Sequence, residues 1–239
     1  MNGKHLSSQF EADLNQLAAR IMAMGGVIEA QLKLAAQALD TGADVSRVAQ
    51  DQERSVNAME RDIDAHCAFV IASRQPAAQD LRFVLSMLKV CNNLERVGDE
   101  AFKLCMRAGG VHAAARHANA AGEGEFKTLS ANLAQLLDLA HSIFVKALDC
   151  LARLSVVDAK AVLASDTGLD TGYRALIAGL VQLMSRHPTQ AQAGVDALFL
   201  VKAIERMGDH ACNIAEAVIY IVQGEDIRHA SDTRVAAAA

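Results

Sequence analysis

One short phrase occurs twice in this chain and constrains its fold more than any other feature. Residues 94–99 read LERVGD, and residues 204–209 read IERMGD, an offset of 110 residues. Two copies of one phrase at a fixed offset indicate a duplicated structural unit. Both copies keep two carboxylates four residues apart, so we expect these four acids to carry the function.

The composition predicts that each unit is helical. A chain of 239 residues can hold two domains of about 100 to 120 residues. Good helix formers dominate, the only prolines are Pro76 and Pro188, and strand-type alternation is absent. We therefore predict an all-α fold of two tandem three-helix bundles, with six long helices.

Hydrophobic periodicity divides the chain into these helices. Apolar residues recur at helical spacing in six segments: residues 8–39, 45–73, 76–108, 125–154, 156–185 and 188–223. The two prolines are each expected to open the third helix of a bundle, and the glycines of the fifth segment are expected to loosen it. The predicted domains are residues 8–108 and 125–224, joined by a linker at 109–124 and followed by a flexible tail at 225–239.

Charge and cysteine usage exclude several function classes. The formal net charge is −5 and no basic block occurs, which argues against nucleic acid as the main partner. The start of the chain lacks the apolar core of a signal peptide, and no apolar run reaches membrane-spanning length, so we predict a cytoplasmic protein. Five cysteines without a CxxC motif indicate buried thiols rather than disulfides or zinc ligands.

The repeated acids occupy unusual helical positions. Glu95 and Glu205 fall within the apolar stripes of their helices, and Asp99 and Asp209 lie at the stripe edges. Carboxylates four residues apart repel each other, and an unpaired buried carboxylate is costly, so the arrangement calls for a cation. A glycine within each phrase is expected to make room for a neighbouring helix or a ligand.

The helix preceding each phrase adds further oxygen ligands at the same height. If the second and third helices form a hairpin that turns near Gln75, residues 51–55 lie at the same height as Glu95 and Asp99. If the fifth and sixth helices turn near His187, residues 166–170 lie at the height of Glu205 and Asp209. Such sites suit a divalent metal ion or iron, with Mg²⁺, Mn²⁺, Ca²⁺, Zn²⁺ and Fe as candidates. The predicted metal ligands are Glu53, Asn57, Glu95, Asp99, Asp166, Asp170, Glu205, Asp209 and Asn213.

Plainer interpretations stand beside this one. The phrase acids could pair with arginines such as Arg54 or Arg61 in a structural network. Asn57 and Asn213 could equally be ordinary polar residues at helix edges. The opposite face of the third helix is predicted to be solvated, with partner binding left open; it carries Arg82, Lys89, Asn93, Arg96, Glu100 and Arg107.

An ordered set of motifs resembles the PhoU family of phosphate-signalling regulators from Phe10 to about Asp226. The resembling residues are Met24-Gly25, Arg74-Gln75-Pro76, Asp80-Leu81-Arg82, both ERxGD phrases and the DHACNIAE stretch at 209–216. The second repeat departs from the first, since residues 192–194 read QAG where residues 80–82 read DLR, and Lys103 stands where the second repeat has Asn213. The two sites are therefore not expected to be equivalent.

The resemblance implies a function as well as a fold. Proteins of this kind bind metal in some members through the repeated acids, here Glu95 with Asp99 and Glu205 with Asp209, and act without enzymatic turnover. They restrain phosphate uptake and phosphate-starvation gene expression by linking the transporter ATPase subunit PstB to the sensor histidine kinase PhoR. We also expect a homodimer that reaches the membrane only through its partners.

Two other function classes remain open at this point. The first is an oxidative metalloenzyme of ferritin-like type, because carboxylate-rich helical bundles host di-iron chemistry. The sequence disfavours it, since no helix carries a Glu-x-x-His pair and no Tyr or Trp is expected near the proposed sites. The second is a structural helical scaffold whose acids are paired with arginines.

Overall fold

The computed structural model describes residues 2–117 and 123–227, and all regular structure in them is helical. The six helices are α1 (Asn2–Thr41), α2 (Ser46–Arg74), α3 (Ala78–His117), α4 (Glu123–Arg153), α5 (Val156–Arg186) and α6 (Ala191–Gln223). None of these described helices is long and apolar enough to cross a bilayer. The predicted all-α class with six long helices is confirmed.

The helices form two three-helix bundles that share one core. The helices α1, α2 and α3 pack on one another, as do α4, α5 and α6, while α3 and α6 meet along the most extensive contact between the two halves. Buried apolar side chains from both halves form one continuous cluster, in which Met24, Leu94 and Ile204 are fully inaccessible to solvent. Burial of each such side chain stabilises the fold by roughly 1.5 to 3 kcal/mol.

The turns between helices follow the predicted local chemistry. Gly42 takes a left-handed φ of 72° directly after α1, which glycine adopts without steric cost. Gln75 ends α2 in the left-handed conformation and donates its backbone N–H to Ile71 O. The two prolines lie two to three residues before the observed helix starts and not at them as predicted, because α3 begins at Ala78 and Pro188 opens a short 3₁₀ turn (Pro188–Gln190) ahead of α6.

The predicted helix break at Gly109 and Gly110 is wrong, and helical structure extends into the predicted linker at 109–124. Helix α3 continues through Gly109 and Gly110 to His117, and α4 already begins at Glu123; residues 118–122 lie outside the described residues. Val111 is buried and His112 Nδ1 lies 3.1 Å from Leu39 O, so contacts with α1 favour a continued helix over the break that two glycines suggest.

The first helix starts earlier than the predicted first segment, and most of the predicted tail cannot be compared with the structure. Helix α1 begins at Asn2 rather than at residue 8, where apolar periodicity becomes readable. Most of the predicted tail, residues 228–239, lies outside the described residues. The residue bounds of the two domains stay a prediction.

Glycines let helices approach closely in two places. Helix α5 runs without a break despite its three glycines, and a Cβ added at Gly172 would stand 2.6 Å from Leu136 Cδ1 on α4. A Cβ added at Gly25 would stand 2.7 Å from Leu148 Cδ2, so this glycine brings α1 of one bundle against α4 of the other.

All five cysteines are buried and unpaired, as predicted. Burial raises the pKa of Cys67 and Cys150 to about 11 and that of Cys91, Cys105 and Cys212 to about 12. The thiols are therefore protonated at neutral pH and behave as small apolar side chains.

Candidate metal centres

The α2–α3 hairpin gathers the first predicted set of acids, which we call the first acidic cluster (Glu53, Asn57, Glu95 and Asp99). Asn57 Nδ2 donates a hydrogen bond of 3.2 Å to Glu53 Oε1. Burial, followed by the charge of Asp99, raises the pKa of Glu53. Burial, followed by the charges of Asp99 and Glu60, raises the pKa of Glu95. Hairpin height and helical phase thus predicted which side chains meet here.

Helix α1 adds a residue that sequence reasoning missed. Gln31 is wholly buried, and its amide interacts with the Glu53 carboxyl and tends to lower the pKa of that group, although neither amide atom makes a hydrogen bond of good geometry among the described residues. Its Oε1 lies 3.9 Å from the position that a Cβ on Gly98 would take, in the middle of the α3 phrase. Glu53 Oε2 is likewise buried and makes no hydrogen bond of good geometry in the described chain. Buried polar atoms without a well-formed hydrogen bond are costly, so a cation at this cluster would stabilise it.

The sequence does contain a pattern that indicates a buried polar role for Gln31. It stands in the apolar stripe of α1, one turn after Ile28 and one turn before Ala35, both of which are fully buried. A polar side chain at a core position of an amphipathic helix indicates a buried polar role.

The α5–α6 hairpin gathers the second acidic cluster (Asp166, Asp170, Glu205 and Asp209). Burial, followed by the charges of Glu205 and Asp166, raises the pKa of Asp209 to about 6. Burial, followed by the charge of Asp170, raises the pKa of Asp166. Four acids from two helices therefore influence one another, as the hairpin reasoning predicted.

The second cluster contains a cation that sequence reasoning also missed. Lys202 Nζ lies 2.7 Å from Glu205 Oε2 and 5.4 Å from the centroid of the Tyr173 ring. The hydrogen bond with Glu205 is the main cause that raises the pKa of Lys202. The spacing of three residues between Lys202 and Glu205 was a readable signal for this pair. Tyr173 corrects the expectation that no tyrosine lies near the sites.

The arginine-paired alternative is met only weakly, by Arg96 rather than by the named Arg54 or Arg61. Arg54 pairs with Asp51 rather than with an acid of the phrase. Arg96 Nε lies 3.5 Å from Glu95 Oε2, and the Arg96 side chain is half exposed. Such a long, half-exposed contact is worth little, so although Arg96 lowers the pKa of Glu95 it only partly offsets the charge of the first cluster.

The polar face of α3 is an interface and not the predicted solvated face. Glu100 is only 3% exposed; its Oε1 lies 2.8 Å from Arg206 Nη1 of α6 and accepts a hydrogen bond from Lys103 Nζ at 3.0 Å. Further along, Arg107 Nη1 lies 3.3 Å from Asp196 Oδ1 of α6. A single helix pattern cannot show that a second bundle covers a polar face, because the covering residues are polar too.

Asn213 lies at this interface and does not join the second cluster. Its Nδ2 donates to Asn93 Oδ1 at 3.0 Å, and His210 Nδ1 lies 3.0 Å from the same oxygen. Asn213 lines a cavity of about 480 Å³ between α3 and α6, together with Lys89 and Tyr220. Its position along α6 turns it toward α3 rather than α5, so it lies apart from the other predicted ligands of the second cluster.

The glycines of the two phrases make room for neighbouring helices. A Cβ on Gly98 would stand 3.2 Å from Val56 Cγ1 on α2, and a Cβ on Gly208 would overlap Leu169 Cδ2 on α5. Both glycines therefore set the close approach of the hairpin helices, and that approach is what brings the acids level.

The carboxylates of each cluster lie near one another but do not form a complete set of metal ligands. Among the described residues, no three His, Cys, Asp or Glu side chains stand close enough together to hold a metal ion. Burial and neighbouring carboxylates nevertheless raise the pKa values of Glu53, Glu95, Asp166 and Asp209, so each cluster would gain from a cation. Their ligand roles stay a prediction.

Comparison with known proteins gives one consistent family. A family model of the PhoU domain matches residues 21–108 and 133–218. A phosphate-specific transport system accessory protein PhoU homolog from a Burkholderia species is 36% identical over 237 residues, 99% of this chain and 98% of that protein. The accessory protein PhoU of Escherichia coli K12 is 33% identical over 231 residues, 95% and 90% of the two chains.

A solved structure agrees with these relatives. The crystal structure of PhoU from Pseudomonas aeruginosa matches with a TM-score of 0.77 at 33% identity, covering 90% of this chain and 100% of that one. The similarity therefore extends over both bundles and through both acidic clusters.

Proposed function

Since this chain belongs to the PhoU family, we propose that it regulates phosphate transport without catalytic turnover. In the cytoplasm it restrains high-affinity phosphate uptake and phosphate-starvation gene expression by linking the transporter ATPase subunit PstB to the sensor kinase PhoR. It does so as a homodimer that reaches the membrane only through these partners. The supporting observation is full-length similarity to proteins named as accessory to phosphate-specific transport.

The acidic clusters are the metal-dependent part of this proposal. Their donors are carboxylate and amide oxygens, which suit Mg²⁺, Mn²⁺, Zn²⁺ or iron. The fit is best in the first cluster, where Glu53 Oε2 and the Gln31 amide are buried and make no hydrogen bond of good geometry among the described residues. A bound ion supplies a fixed positive charge that holds the acids of two helices together. The ion therefore biases how each bundle presents its surface to the partners.

A genetic experiment tests the regulatory role. In a cell with an intact phosphate-sensing system, Glu95→Ala with Asp99→Ala should release phosphate-starvation gene expression in phosphate-rich medium, at normal protein level. The matched control is Asp138→Ala with Asp149→Ala, which removes two exposed acids of α4. Repression that is normal in the first variant would show that these acids do not serve signalling.

A titration tests the metal role separately. A ligand of the native state at a hundred times its dissociation constant stabilises the fold by about 2.7 kcal/mol, so saturating Mn²⁺ should raise the melting temperature by several degrees. The variant Glu53→Gln, Glu95→Gln, Asp99→Asn should lose most of this rise. An unchanged melting temperature in the wild-type protein would refute the metal role and leave the partner role standing.

A further inference from the structure

We propose that the cavity between α3 and α6 binds an extended peptide segment of a partner protein, chiefly through the main chain of that segment. This α3–α6 cavity has a volume of about 480 Å³, and its walls come from both bundles. The inference rests on the regulatory function proposed above and adds the place where a partner attaches. It uses polar residues that lie outside both acidic clusters.

Uncharged polar groups outnumber charged ones in the described lining of this cavity. The uncharged groups are three amides, a phenol and a buried hydroxyl, from Asn92, Asn93, Asn213, Tyr220 and Ser86. An amide side chain carries both a donor and an acceptor, as a peptide group does, so it can pair with a main chain. The charged lining residues are one lysine and two acids, Lys89, Glu216 and Asp226. Such a lining does not favour a free anion such as inorganic phosphate.

The interface itself holds the amides in place. Asn93 Oδ1 accepts from Asn213 Nδ2 at 3.0 Å, and Asn93 Nδ2 donates to Lys89 O at 2.8 Å. His210 Nδ1 lies 3.0 Å from the same Asn93 oxygen. With its Nδ2 engaged, Asn213 keeps its Oδ1 to accept from a ligand, and Asn92 makes no hydrogen bond within the described chain. The cavity thus combines amides fixed by the fold with one that is available to a ligand.

The DHACNIAE stretch at 209–216 serves two sites. His210 and Asn213 bind Asn93 on α3, and Glu216 lines the cavity three residues further on. Asp209 of the same stretch interacts instead with Asp166 on α5. One side of this stretch therefore belongs to the second acidic cluster, and the other side forms a wall of the α3–α6 cavity.

The sequence repeat explains why space remains between the helices here. The offset of 110 residues aligns Ala217, which lines the cavity, with Arg107 of α3. Arg107 Nη1 lies 3.3 Å from Asp196 Oδ1, and its guanidinium stands 4.6 Å from the centre of the Phe199 ring. A long side chain thus spans α3 and α6 near one end of their contact, whereas a methyl group stands at the related position near the other end.

The cavity has the length of a short extended segment. Its α3 wall runs from Ser86 to Asn93, which is about 10 Å at 1.5 Å per residue. Three residues of an extended chain span the same distance at about 3.3 Å each. Leu88 and Ala217 add apolar surface on which a side chain of that segment can pack. Because α3 and α6 belong to different bundles, the affinity for the segment depends on how the bundles are placed.

Fluorescence anisotropy with overlapping labelled peptides that span PstB and PhoR tests the inference on the full chain. At least one peptide should bind, and Ala217→Arg should weaken its binding by about tenfold or more, because the new side chain occupies the cavity. Ala178→Arg adds the same charge at an exposed position of α5 and should leave binding unchanged. Asn92→Ala should weaken binding by about three- to tenfold, the loss of one hydrogen bond.

A salt titration separates main-chain recognition from recognition of charge. Added salt should change the affinity of a bound peptide by less than about threefold, since uncharged groups carry the recognition. A stronger salt dependence, or equal binding by wild-type, Ala217→Arg and Asn92→Ala protein, would overturn the inference.

Intact partners show which proposal fails. Binding of intact PstB or PhoR that survives both substitutions, or that occurs while no peptide binds, would overturn the inference and leave the regulatory function standing. Failure of both intact partners to bind the wild-type protein would overturn both. Asn92 is exposed, so Asn92→Ala keeps the inference testable even if Ala217→Arg fails to fold.

Discussion

Neutralising Asp209 should stabilise the metal-free protein at neutral pH. Asp209 lies with Asp166 and Glu205 between α5 and α6, where burial and these two carboxylates raise its pKa to about 6 from an ordinary value of 3.8. The charged form of Asp209 is therefore less favourable in the folded chain than in the unfolded chain. Asp209→Asn removes that charge while it keeps the size of the side chain.

The size of the effect follows from the pKa shift and the exposure of the residue. A shift of about two pKa units corresponds to roughly 3 kcal/mol if it is realised in full. Asp209 lies at the exposed edge of the cluster, so water screens much of this repulsion. We expect a gain of about 1 kcal/mol, or about 2 to 4 °C in melting temperature for a chain of this size.

The stabilisation by Asp209→Asn must increase as pH rises. Between the unfolded pKa of 3.8 and the folded pKa of about 6, the folded protein binds the proton more tightly than the unfolded chain does. Wild-type stability from this residue is therefore highest below the unfolded pKa and is lost as pH rises through the folded pKa. The advantage of Asp209→Asn should be full at neutral pH and vanish as pH falls toward 3.8.

Urea unfolding in the presence of a chelator, at neutral pH and at two acidic pH values, measures the effect. Asp138→Asn is the control, because it removes one exposed acid of α4 and should change stability by less than about 0.5 kcal/mol. Destabilisation by Asp209→Asn at neutral pH, or a gain that does not fade in acid, would refute the assignment of a repelled carboxylate.

Two further substitutions test the packing that positions the clusters. Gly208→Ala should lower the free energy of unfolding in urea by about 2 kcal/mol, because its Cβ would overlap Leu169. Gly179→Ala, whose Cβ meets open space, should instead stabilise α5 by up to about 1 kcal/mol. Equal effects of the two substitutions would contradict the close approach of α5 and α6. Glu100→Gln should lower the free energy of unfolding by about 1 to 2 kcal/mol, because it breaks the ion pairs of a buried carboxylate with Arg206 and Lys103. Glu125→Gln breaks an exposed ion pair with Arg186 and should cost less than about 1 kcal/mol. Equal melting temperatures for these two variants would refute the buried bridge.

The sequence predicted what depends on local periodicity and on one hairpin. Proline and glycine marked the turns near Gln75 and Gly42, and counting outward from the turn set Glu53 level with Asp99. Helical phase then placed Glu95 toward the core. These inferences need only the 3.6-residue period and the antiparallel geometry of neighbouring helices.

What the sequence did not predict depends on contacts between distant segments. Two glycines suggested a helix end at Ala108, but the packing of Val111 and the contact of His112 with Leu39 extend α3 to His117. The helix pattern predicted a solvated face at Glu100, because no local sequence feature shows that α6 covers this residue. Gln31 and Lys202 were readable locally, as a polar residue in an apolar stripe and as a lysine three residues before an acid.

The position of Glu100 connects the first cluster to the second bundle. Asp99 and Glu100 are adjacent on α3, yet Asp99 interacts with Glu53 on α2 and Glu100 binds Arg206 on α6 at 2.8 Å. A cation that draws Glu95 and Asp99 toward α2 would therefore act on the same helical turn that holds the two bundles together. Arg206 directly follows Glu205, so the bridge ends beside the second cluster. One ion pair, buried at its Glu100 end, thus links the two acidic clusters, and the proposed metal sites can influence the relative placement of the bundles through it.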